Sequence, residues 1–349
     1  SFYPIKNGQS GYFTYLNRSK KSVTLNLKSQ EGRRAAMELA QWADVVVENF
    51  SAGTIAKLGL GYEAVKKVNP EVIYASISGF GQSGPYSRKA AYDAVAQAMG
   101  GMTYLTGYPD AAPVKVGPAI SDAATGVHTV VAILAALHYR EKTGRGQYID
   151  IAMLDTVFSM LENSVPIMTM LGENPQRIGN ANPGSAPYNM YRTADGMVVI
   201  ATANDSLFRR LAGVMGRPDL PDDPRFSTNP SRKAHEKEID AIVEQWTQRH
   251  STAEVERLLD EVGVPVAAAR SVEQLVEDPQ LLHREMIVEH EVPGVGWVKF
   301  PANPLRLQLT PPDPSRRAPE LGEHTAEILS AVLHYSDAQI QQMRENQAI

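Results

Sequence analysis

The aspartate at position 155 is the side chain whose place in the sequence best suits chemistry. It ends the stretch GRGQYIDIAMLD, residues 144–155, in which a glycine turn, a short strand and a helix start follow one another. A carboxylate at a strand-to-helix junction faces the positive end of the helix dipole, which stabilises its charge and suits a nucleophile. Aspartates are also common in the first helical turn as capping residues, so the local sequence leaves both interpretations open.

The spacing of apolar residues predicts the elements that position Asp155. Apolar and polar residues alternate over residues 147–151, directly after the glycine turn, which predicts a strand. Apolar residues then recur at helical spacing, with no Gly or Pro before Pro166, at Leu154, Val157, Phe158 and Leu161. We therefore expect Asp155 in the first turn of a helix that follows a strand.

Length and composition limit the class of protein. The 349 residues suffice for about two domains, each with its own core. With 43% hydrophobic and 21% charged residues and a net charge of −5, the chain has a globular composition, and no stripe of Lys or Arg predicts nucleic-acid or membrane-surface binding. The chain contains no cysteine, which excludes disulfides, thiolate zinc sites and cysteine nucleophiles and fits a cytoplasmic location.

The first part of the chain predicts an α/β fold with a Rossmann-like parallel sheet. Strands are predicted over residues 22–27, 44–49 and 72–78, and helices over residues 30–43, 55–58 and 63–68. The three consecutive valines at 45–47 are typical of a strand buried on both faces. Ligands bind beyond the carboxyl ends of parallel strands, so we expect a site near Asn49, Phe50 and the loop after Ser78.

The loop after Ser78 reads GFGQSG, residues 79–84, and matches G-x-G-x-x-G. This pattern alone indicates a dinucleotide site. However, Pro85 follows at once, the next clear helix starts only near Tyr92, and no acidic residue stands where a ribose would need one. A plain glycine-rich turn is therefore the better interpretation.

Residues 122–139 predict a long, mostly apolar helix, but its small residues and polar ends distinguish it from a membrane span. His128 and His138 lie on it, and a lone histidine on such a helix is more often a core or surface residue than a base. No histidine or carboxylate pattern at metal-ligand spacing accompanies them, so we predict no metal site.

The loop-like residues 175–187 predict a domain boundary. We expect a large α/β domain over residues 1–186 and a small α+β domain over residues 187–292. Residues 293–349 then form a Pro-rich return linker and the C-terminal helices of the large domain. Within the small domain we expect a strand over 197–202 and a helix over 207–215, with a hairpin of strands over 286–292 and 297–300 at its end.

Nine short stretches occur in the order in which family III (CaiB/BaiF-type) coenzyme A transferases contain them. They are LNLK at 25–28, VENF at 47–50, KLGLG at 57–61, NPEVIY at 69–74, SGFGQSGP at 78–85, AYD at 91–93, GRG at 144–146, MLD at 153–155 and LGEH at 321–324. Each stretch alone is weak, but their order and spacing are highly specific. From about Gly11 to its end, the chain resembles the formyl-CoA and succinyl-CoA:dicarboxylate transferases of that family.

The resemblance implies a reaction. Family members cleave an acyl-CoA thioester with an aspartate carboxylate and pass through a mixed anhydride and an aspartyl-CoA thioester. They then hand CoA to a carboxylic or dicarboxylic acid. The matching aspartate in this chain is Asp155. The donor would be succinyl-, acetyl- or formyl-CoA-like, with the CoA thioester as substrate and no permanently bound cofactor. Dividing the exchange into two covalent halves avoids expelling a poor leaving group in one step.

The resemblance also implies which residues contact CoA. The matching positions are Leu25, Asn26, Leu27, Lys28, Asn49, Phe50, Ser51, Lys57, Ala90, Ala91, Tyr92 and Asp93. Each is open to a plainer interpretation as packing, surface or, for Tyr92, a structural hydrogen bond. Lys57 stands where the formyl-CoA enzyme has arginine, so the charge is kept while bidentate phosphate pairing is lost. The matching lid contains Gly179, Asn180 and Gly184, without the run of consecutive glycines of that enzyme.

The family fold implied by the resemblance is a large domain from both chain ends, a smaller domain between them, and an interlocked homodimer. Family members also open with a strand, a Gly-containing turn and a helix that contribute to the CoA pocket, and residue 1 matches a position after them. If the protein lacks these elements, CoA affinity should be poor. Two alternatives to a transferase stay open. An α-methylacyl-CoA racemase or epimerase would need a second acid/base, for which His128 is the nearest candidate, and a truncated homologue would be non-catalytic.

Overall fold

The structure is a computed structural model that describes residues 2–349. Its strands are β1 (Ile5–Lys6), β2 (Gln9–Ser10), β3 (Val45–Glu48), β4 (Ile73–Ser78), β5 (Tyr148–Ala152), β6 (Tyr188–Arg192), β7 (Met197–Ala201), β8 (Val266–Ala268), β9 (Ile287–Val292) and β10 (Gly296–Pro301). β1 pairs with β2 and β9 with β10 as antiparallel hairpins. The other strands form two three-stranded sheets, in the orders β3-β4-β5 and β6-β7-β8.

Helices connect these strands. They are α1 (Gly11–Leu16), α2 (Gln30–Trp42), α3 (Thr54–Lys57), α4 (Tyr62–Val68), α5 (Asp93–Met99), α6 (Met102–Leu105), α7 (Ile120–Thr143), α8 (Met153–Ser159), α9 (Ser164–Pro166), α10 (Asp205–Val214), α11 (Asn229–Ala234), α12 (Glu236–Thr247), α13 (Thr252–Glu261), α14 (Val272–Leu275), α15 (Pro279–His283), α16 (Thr325–Ala331) and α17 (Asp337–Glu345). Ile167–Leu171 forms a π-helical turn and Leu220–Asp222 a 3-10 turn.

The chain divides into two compact units. The first unit contains the chain up to Gly100, then Gly117–Met160 and Glu273–Ile349, and the second contains Gly101–Val116 and Leu161–Val272. The divisions fall at 160/161 and 272/273, earlier than the predicted 186/187 and 292/293. Local bonding explains the shift. The N–H of Gly179 donates to the carbonyl of Gly107 at 2.9 Å within the second unit. The hairpin β9–β10 is bonded to the N-terminal segment, since the Asn7 amide donates to Gly294 at 2.7 Å.

A parallel sheet forms the centre of the first unit. β3, β4 and β5 run parallel, with Glu48 opposite Ser76 and Ser78 opposite Ala152. The three strands predicted over residues 44–49, 72–78 and 147–151 are thus confirmed. The β-branched residues Ile73 and Ile77 of β4 favour the extended backbone, and Ile73 and Ala75 are buried.

Two predictions about the first unit are wrong. Residues 22–27 form no strand. Their backbone instead binds the C-terminal residues, since Asn26 N–H donates to Ala348 at 2.8 Å, and Leu25 packs into the core between α2 and the C-terminal helices. β3 is not buried on both faces either, because Val47 is 52% exposed. The alternating pattern of residues 22–27 thus belongs to a partly buried segment without strand pairing. The apolar run of β3 belongs to a strand that is covered on one face only.

Helices pack on the face of the sheet that carries Tyr74. Ala40 of α2 and Val65 of α4 form one cluster with Val72 and Tyr74. Ala40 lies near the C-terminal end of α2 and contacts the start of β4, so the N-terminal end of α2 points toward the carboxyl edge of the sheet. Residues 25–28, which precede α2, are thereby directed to the edge where ligands bind in such sheets.

The second unit is α+β. Its antiparallel sheet β6-β7-β8 packs against α10, α12 and α13 through a core that includes Ile200, Leu211, Val243 and Leu259. β7 and α10 confirm the predicted strand over 197–202 and helix over 207–215. The predicted hairpin exists as β9–β10, but it belongs to the first unit. Residues 302–319, the return segment, contain neither helix nor strand.

Candidate active site

Three loops leave the carboxyl edge of the parallel sheet. The first follows β3 at Asn49, the second is the glycine loop, residues 79–84, after β4, and the third joins β5 directly to α8. Glu48, at the end of β3, is buried, and its Oε2 accepts the N–H of Phe50 at 2.8 Å. Because all three strands are parallel, their loops share one edge, as ligand sites in such sheets require.

Asp155 lies in the first turn of α8, as predicted. Its side chain is exposed, and no described residue donates a hydrogen bond to its carboxylate. Ala152 is the N-cap of this helix and no side chain caps it, so Asp155 does not act as the capping group. The geometry therefore favours a carboxylate that is free to react over the capping interpretation.

The glycine loop is bonded to the junction that carries Asp155. The N–H of Leu154 donates to the carbonyl of Gly79 at 3.0 Å. A Cβ added to Gly79 would lie 2.4 Å from the Cβ of Ala91, so only glycine permits this approach of the two segments. The loop therefore brings residues 90–93 and the residue before Asp155 together at the sheet edge.

Asp150 and Gln82 make a second set of contacts at this edge. The carboxylate oxygens of Asp150 accept the N–H of Gln82 at 3.1 and 3.2 Å. The side-chain Oε1 of Gln82 accepts the N–H of Gly53 at 3.4 Å. Neither residue is among the site residues predicted from the sequence. The sequence pattern that could have identified Asp150 is its place at a polar position of the alternating strand over residues 147–151.

Tyr92 and Asp93 differ in what they contact. Tyr92 is 81% exposed, and its hydroxyl finds no hydrogen-bond partner among residues 2–349. Asp93 is engaged within the chain, because its Oδ1 accepts the N–H of Ser121 at 3.0 Å and the hydroxyl of Ser121 at 2.8 Å. Its Oδ2 accepts the Gln97 amide at 2.8 Å. Asp93 therefore holds the start of α7, a role that the sequence did not indicate.

Two ionisable groups of the first unit have pKa values that are raised by burial. Burial raises the pKa of the Asp122 carboxyl, and the charge of Asp93 raises it further. Burial also raises the pKa of the Tyr74 hydroxyl well above its ordinary value, with a smaller contribution from the charge of Glu48. The Tyr74 hydroxyl donates to Leu60 at 2.8 Å, which indicates a structural role.

The remaining positions predicted to contact CoA fall into two groups. Asn49, Phe50, Ser51, Lys57 and Ala90 are exposed in or near the loops of the sheet edge. Leu25 and Leu27 are partly buried, and Asn26 is bound to the C-terminus through Gln347 as well as Ala348. Lys28 is exposed. Contact with CoA stays a prediction for all of these positions.

The predicted lid belongs to the second unit. Gly179 has a φ of +65° and is bonded to Gly107, while the Asn180 amide donates to the Tyr108 hydroxyl at 2.9 Å. The N–H of Gly184 donates to the Asn182 side chain at 2.8 Å. The loop is thus anchored inside its own unit at several points, and its role as a lid stays a prediction.

Other candidate chemistry is sparse. Within the described residues, no group of three or more His, Asp or Glu side chains has the geometry to hold a metal ion. His128 is exposed, and its Nδ1 pairs with the carbonyl of Ala124 at 2.8 Å. By length and composition alone, α7 is long and apolar enough to cross a membrane, a test that core helices of other proteins also pass.

Known proteins resemble this chain over most of its length. The model of CoA-transferase family III matches residues 2–325. A succinyl-CoA--D-citramalate CoA-transferase from Chloroflexus aurantiacus is 35% identical over 98% of this chain and 85% of its own length. A succinyl-CoA:mesaconate CoA-transferase from Haloarcula marismortui is 41% identical over 91% of this chain and 81% of its own. An acetyl-CoA:oxalate CoA-transferase from Acetobacter aceti is 38% identical over 93% and 83%.

Solved structures agree with the sequence matches. The crystal structure of a CaiB/BaiF family protein from Brucella suis superimposes with a TM-score of 0.82 and 38% identity, and the match covers 94% of this chain and 86% of that one. Sequence and fold thus match over the same extent. The chain is an enzyme that belongs to CoA-transferase family III.

Proposed function

We propose that the enzyme moves CoA from an acyl-CoA to a carboxylic acid, with succinyl-CoA or acetyl-CoA as donor and a dicarboxylic acid as acceptor. The observation that carries the proposal is Asp155, an exposed carboxylate at the strand-to-helix junction for which residues 2–349 supply no hydrogen-bond partner. The named activities of the relatives support the substrate class, because citramalate, mesaconate and oxalate are all dicarboxylates.

The reaction proceeds through covalent intermediates on Asp155. A carboxylate oxygen of Asp155 attacks the thioester carbonyl and expels the CoA thiolate, which leaves a mixed anhydride. The thiolate then attacks the Asp155 carbonyl carbon, forms the aspartyl-CoA thioester and releases the donor acid. The acceptor carboxylate reverses both steps, so no net proton is consumed. Each step forms one acyl bond and breaks another, and each leaving group is a thiolate or a carboxylate.

The glycine loop supplies donors for the tetrahedral oxyanions. The N–H of Gln82 is committed to Asp150, while none of the described residues accepts from the N–H groups of Gly81 or Ser83. Preorganised main-chain donors of this kind stabilise charge that develops on a carbonyl oxygen. Exclusion of water by the substrate and the loops would protect the anhydride from hydrolysis.

The CoA itself is a substrate and is held at the sheet edge. Lys57 ends α3 as an exposed cation that makes no ion pair with any described residue, which suits a phosphate of CoA. Phe50 presents an exposed ring in the preceding loop, which suits the adenine or the pantetheine arm. Asn49, Ser51 and residues 90–93 would complete the contacts.

We further propose that the enzyme is a homodimer. Four apolar side chains of α7 and three leucines of the return segment are between 53% and 92% exposed: Val127, Val130, Val131, Leu134, Leu305, Leu307 and Leu309. Exposed apolar side chains that are grouped on one helix or along one segment mark an association surface. The return segment also borders a cavity of about 890 Å³ with Tyr15 and Val288, which leaves room for a segment of a second copy.

The function is tested by trapping the intermediate. Purified enzyme is incubated with succinyl-CoA or acetyl-CoA and a panel of labelled acids, then treated with hydroxylamine or borohydride and mapped by mass spectrometry. We expect CoA exchange and an adduct on Asp155, both absent in Asp155→Ala, whose fold and oligomeric state are unchanged. Exchange that persists in Asp155→Ala contradicts the mechanism.

The same incubation separates the alternatives. A racemase would introduce solvent deuterium at C2 of a 2-methylacyl-CoA without exchanging the acid, and a non-catalytic homologue would do neither. Asp195→Ala is the control, because Asp195 is an aspartate of the second unit that is not among the candidate site residues. We expect this variant to keep wild-type exchange.

A further inference from the structure

Asp150 carries a charge that the proposed mechanism does not use. It lies on β5, five positions before Asp155, and its side chain is exposed. CoA and the carboxylic acids are anionic, so a carboxylate beside their site disfavours binding by simple electrostatics. Its presence at this position therefore calls for a role other than ligand attraction.

The contacts of Asp150 indicate that role. Both of its carboxylate oxygens accept the N–H of Gln82, at 3.2 and 3.1 Å. Gly81 precedes Gln82 with a φ of +84°, and a Cβ added there would lie 3.9 Å from both carboxylate oxygens. The glycine loop therefore turns around the carboxylate of Asp150. A hydrogen bond to a charged acceptor is about twice as strong as a neutral one, which suits the fixing of an otherwise flexible loop.

Gln82 extends this contact to the first loop of the sheet edge, which follows β3. Its Oε1 accepts the N–H of Gly53, the N-cap residue of the helix that carries Lys57. Its Nε2 is buried without a partner among the described residues. Asp150, Gln82 and Gly53 thus link strand β5 to the loops that follow β4 and β3.

We propose that Asp150 is a positioning residue for CoA transfer. It fixes the glycine loop, whose carbonyl at Gly79 in turn holds the N–H of Leu154 beside Asp155. The proposal rests on the proposed function of Asp155. A misplacement of about 1 Å costs on the order of 100-fold in rate, so loss of one anchor of the loop affects kcat without a direct contact between Asp150 and substrate.

Two substitutions isolate the hydrogen bond from the charge. Asp150→Ala removes the acceptor and the charge, whereas Asp150→Asn removes the charge and keeps one acceptor oxygen. We expect Asp150→Ala to lower kcat by about 100-fold, with a smaller change in KM for the acyl-CoA, and Asp150→Asn to recover most of kcat. Hydrogen exchange of the peptide that contains residues 79–84 should quicken in Asp150→Ala and stay near wild type in Asp150→Asn. Equal kcat in the two variants overturns the proposal.

A control separates positioning from general destabilisation. The carboxylate of Asp195 accepts the N–H of Thr252 at 2.7 Å in the second unit, so Asp195→Ala loses a comparable bond. We expect that variant to keep wild-type kcat. A loss of kcat as large as that of Asp150→Ala assigns the effect to stability and overturns the proposal.

The test also distinguishes its own failure from that of the proposed function. Asp155→Ala should abolish transfer while hydrogen exchange of the glycine loop stays as in the wild type. Absence of transfer in the wild-type enzyme overturns the proposed function and the positioning role with it. Wild-type transfer together with unchanged loop exchange and unchanged kcat in Asp150→Ala overturns the positioning role alone.

Discussion

The main-chain N–H of Leu154 donates to the carbonyl oxygen of Gly79 at 3.0 Å. This one bond joins the residue before Asp155 to the first residue of the glycine loop, and Gly79 in turn abuts Ala91. The candidate nucleophile, the glycine loop and the segment with Tyr92 are therefore connected through the backbone at Gly79. A substitution at Gly79 should therefore alter the positions of Asp155, the glycine loop and the segment with Tyr92.

Replacing Gly79 by alanine should damage both stability and activity. The new Cβ would lie 2.4 Å from the Cβ of Ala91, so one of the two backbone segments must move. Overpacking of this kind typically costs about 1–3 kcal/mol, measured as the free energy of unfolding in urea, and kcat should fall as the loop shifts. Gly213 of α10 is the control, since a Cβ there meets nothing within 4 Å. Gly213→Ala should be neutral or stabilising, and a Gly79→Ala enzyme of wild-type stability and rate contradicts the packing argument.

Replacing Lys57 should weaken CoA binding. Loss of a cation that contacts phosphate should lower the affinity for CoA by about tenfold in Lys57→Ala, measured by isothermal titration calorimetry, with a smaller loss in Lys57→Arg. The effect should shrink at high salt, because the contact is exposed and screened. Lys237 of α12 is an exposed lysine of the second unit, and Lys237→Ala should bind CoA normally. If Lys57→Ala and Lys237→Ala bind CoA with equal affinity, Lys57 does not contact CoA.

Stability should decrease in mildly acidic solution because of His290. This side chain is buried, and its Nε2 has no partner among the described residues. Burial lowers the pKa of the imidazole below its ordinary value of 6.5, and the charge of Arg18 lowers it further. Above pH 6.5, the imidazole is neutral in both the folded and the unfolded chain. Below it, the unfolded chain binds a proton that the folded chain does not, so stability falls until the pH reaches the folded pKa.

The measurement compares wild type with His290→Phe, which keeps an aromatic ring against Phe300. Free energies of unfolding are determined in urea at about pH 7.5 and about pH 5.5. We expect the wild type to lose more stability than the variant between the two conditions. An identical pH dependence in both proteins would show that His290 does not titrate between them.

Replacing Val131 by glutamate should separate the proposed dimer. Val131 is 60% exposed on α7, and a carboxylate buried in an apolar interface without a partner is strongly unfavourable. We expect a dimer for the wild type without detergent and a monomer for Val131→Glu by analytical ultracentrifugation. Val272, exposed at the start of α14, supplies the control substitution Val272→Glu, which should stay dimeric. If the wild type instead binds lipid vesicles through α7, the dimer does not account for its apolar face.

The parallel sheet could be predicted because each of its strands has a recognisable pattern in the local sequence. The valines of β3 and the β-branched residues of β4 favour extended backbone, and each is separated from the next strand by a helical pattern. Residues 22–27 show how far such patterns reach. They alternate like a strand, but the N–H of Asn26 among them is taken by Ala348, a residue at the far end of the chain that no local pattern reveals.

The candidate site also has features that the sequence predicts and features that depend on the fold. The sequence by itself determined that Asp155 follows a strand and starts a helix, because that depends on residues close together in the chain. The order and spacing of the nine short stretches along the chain indicated the family, and neither requires the folded structure. Only the tertiary structure decided which carboxylates are free. Asp93 is engaged by Ser121 and Asp150 by Gln82, while Asp155 has no such partner among the described residues. Hydrogen-bond partners far apart in sequence meet only when the strands pair in register, so this distinction belongs to the folded chain.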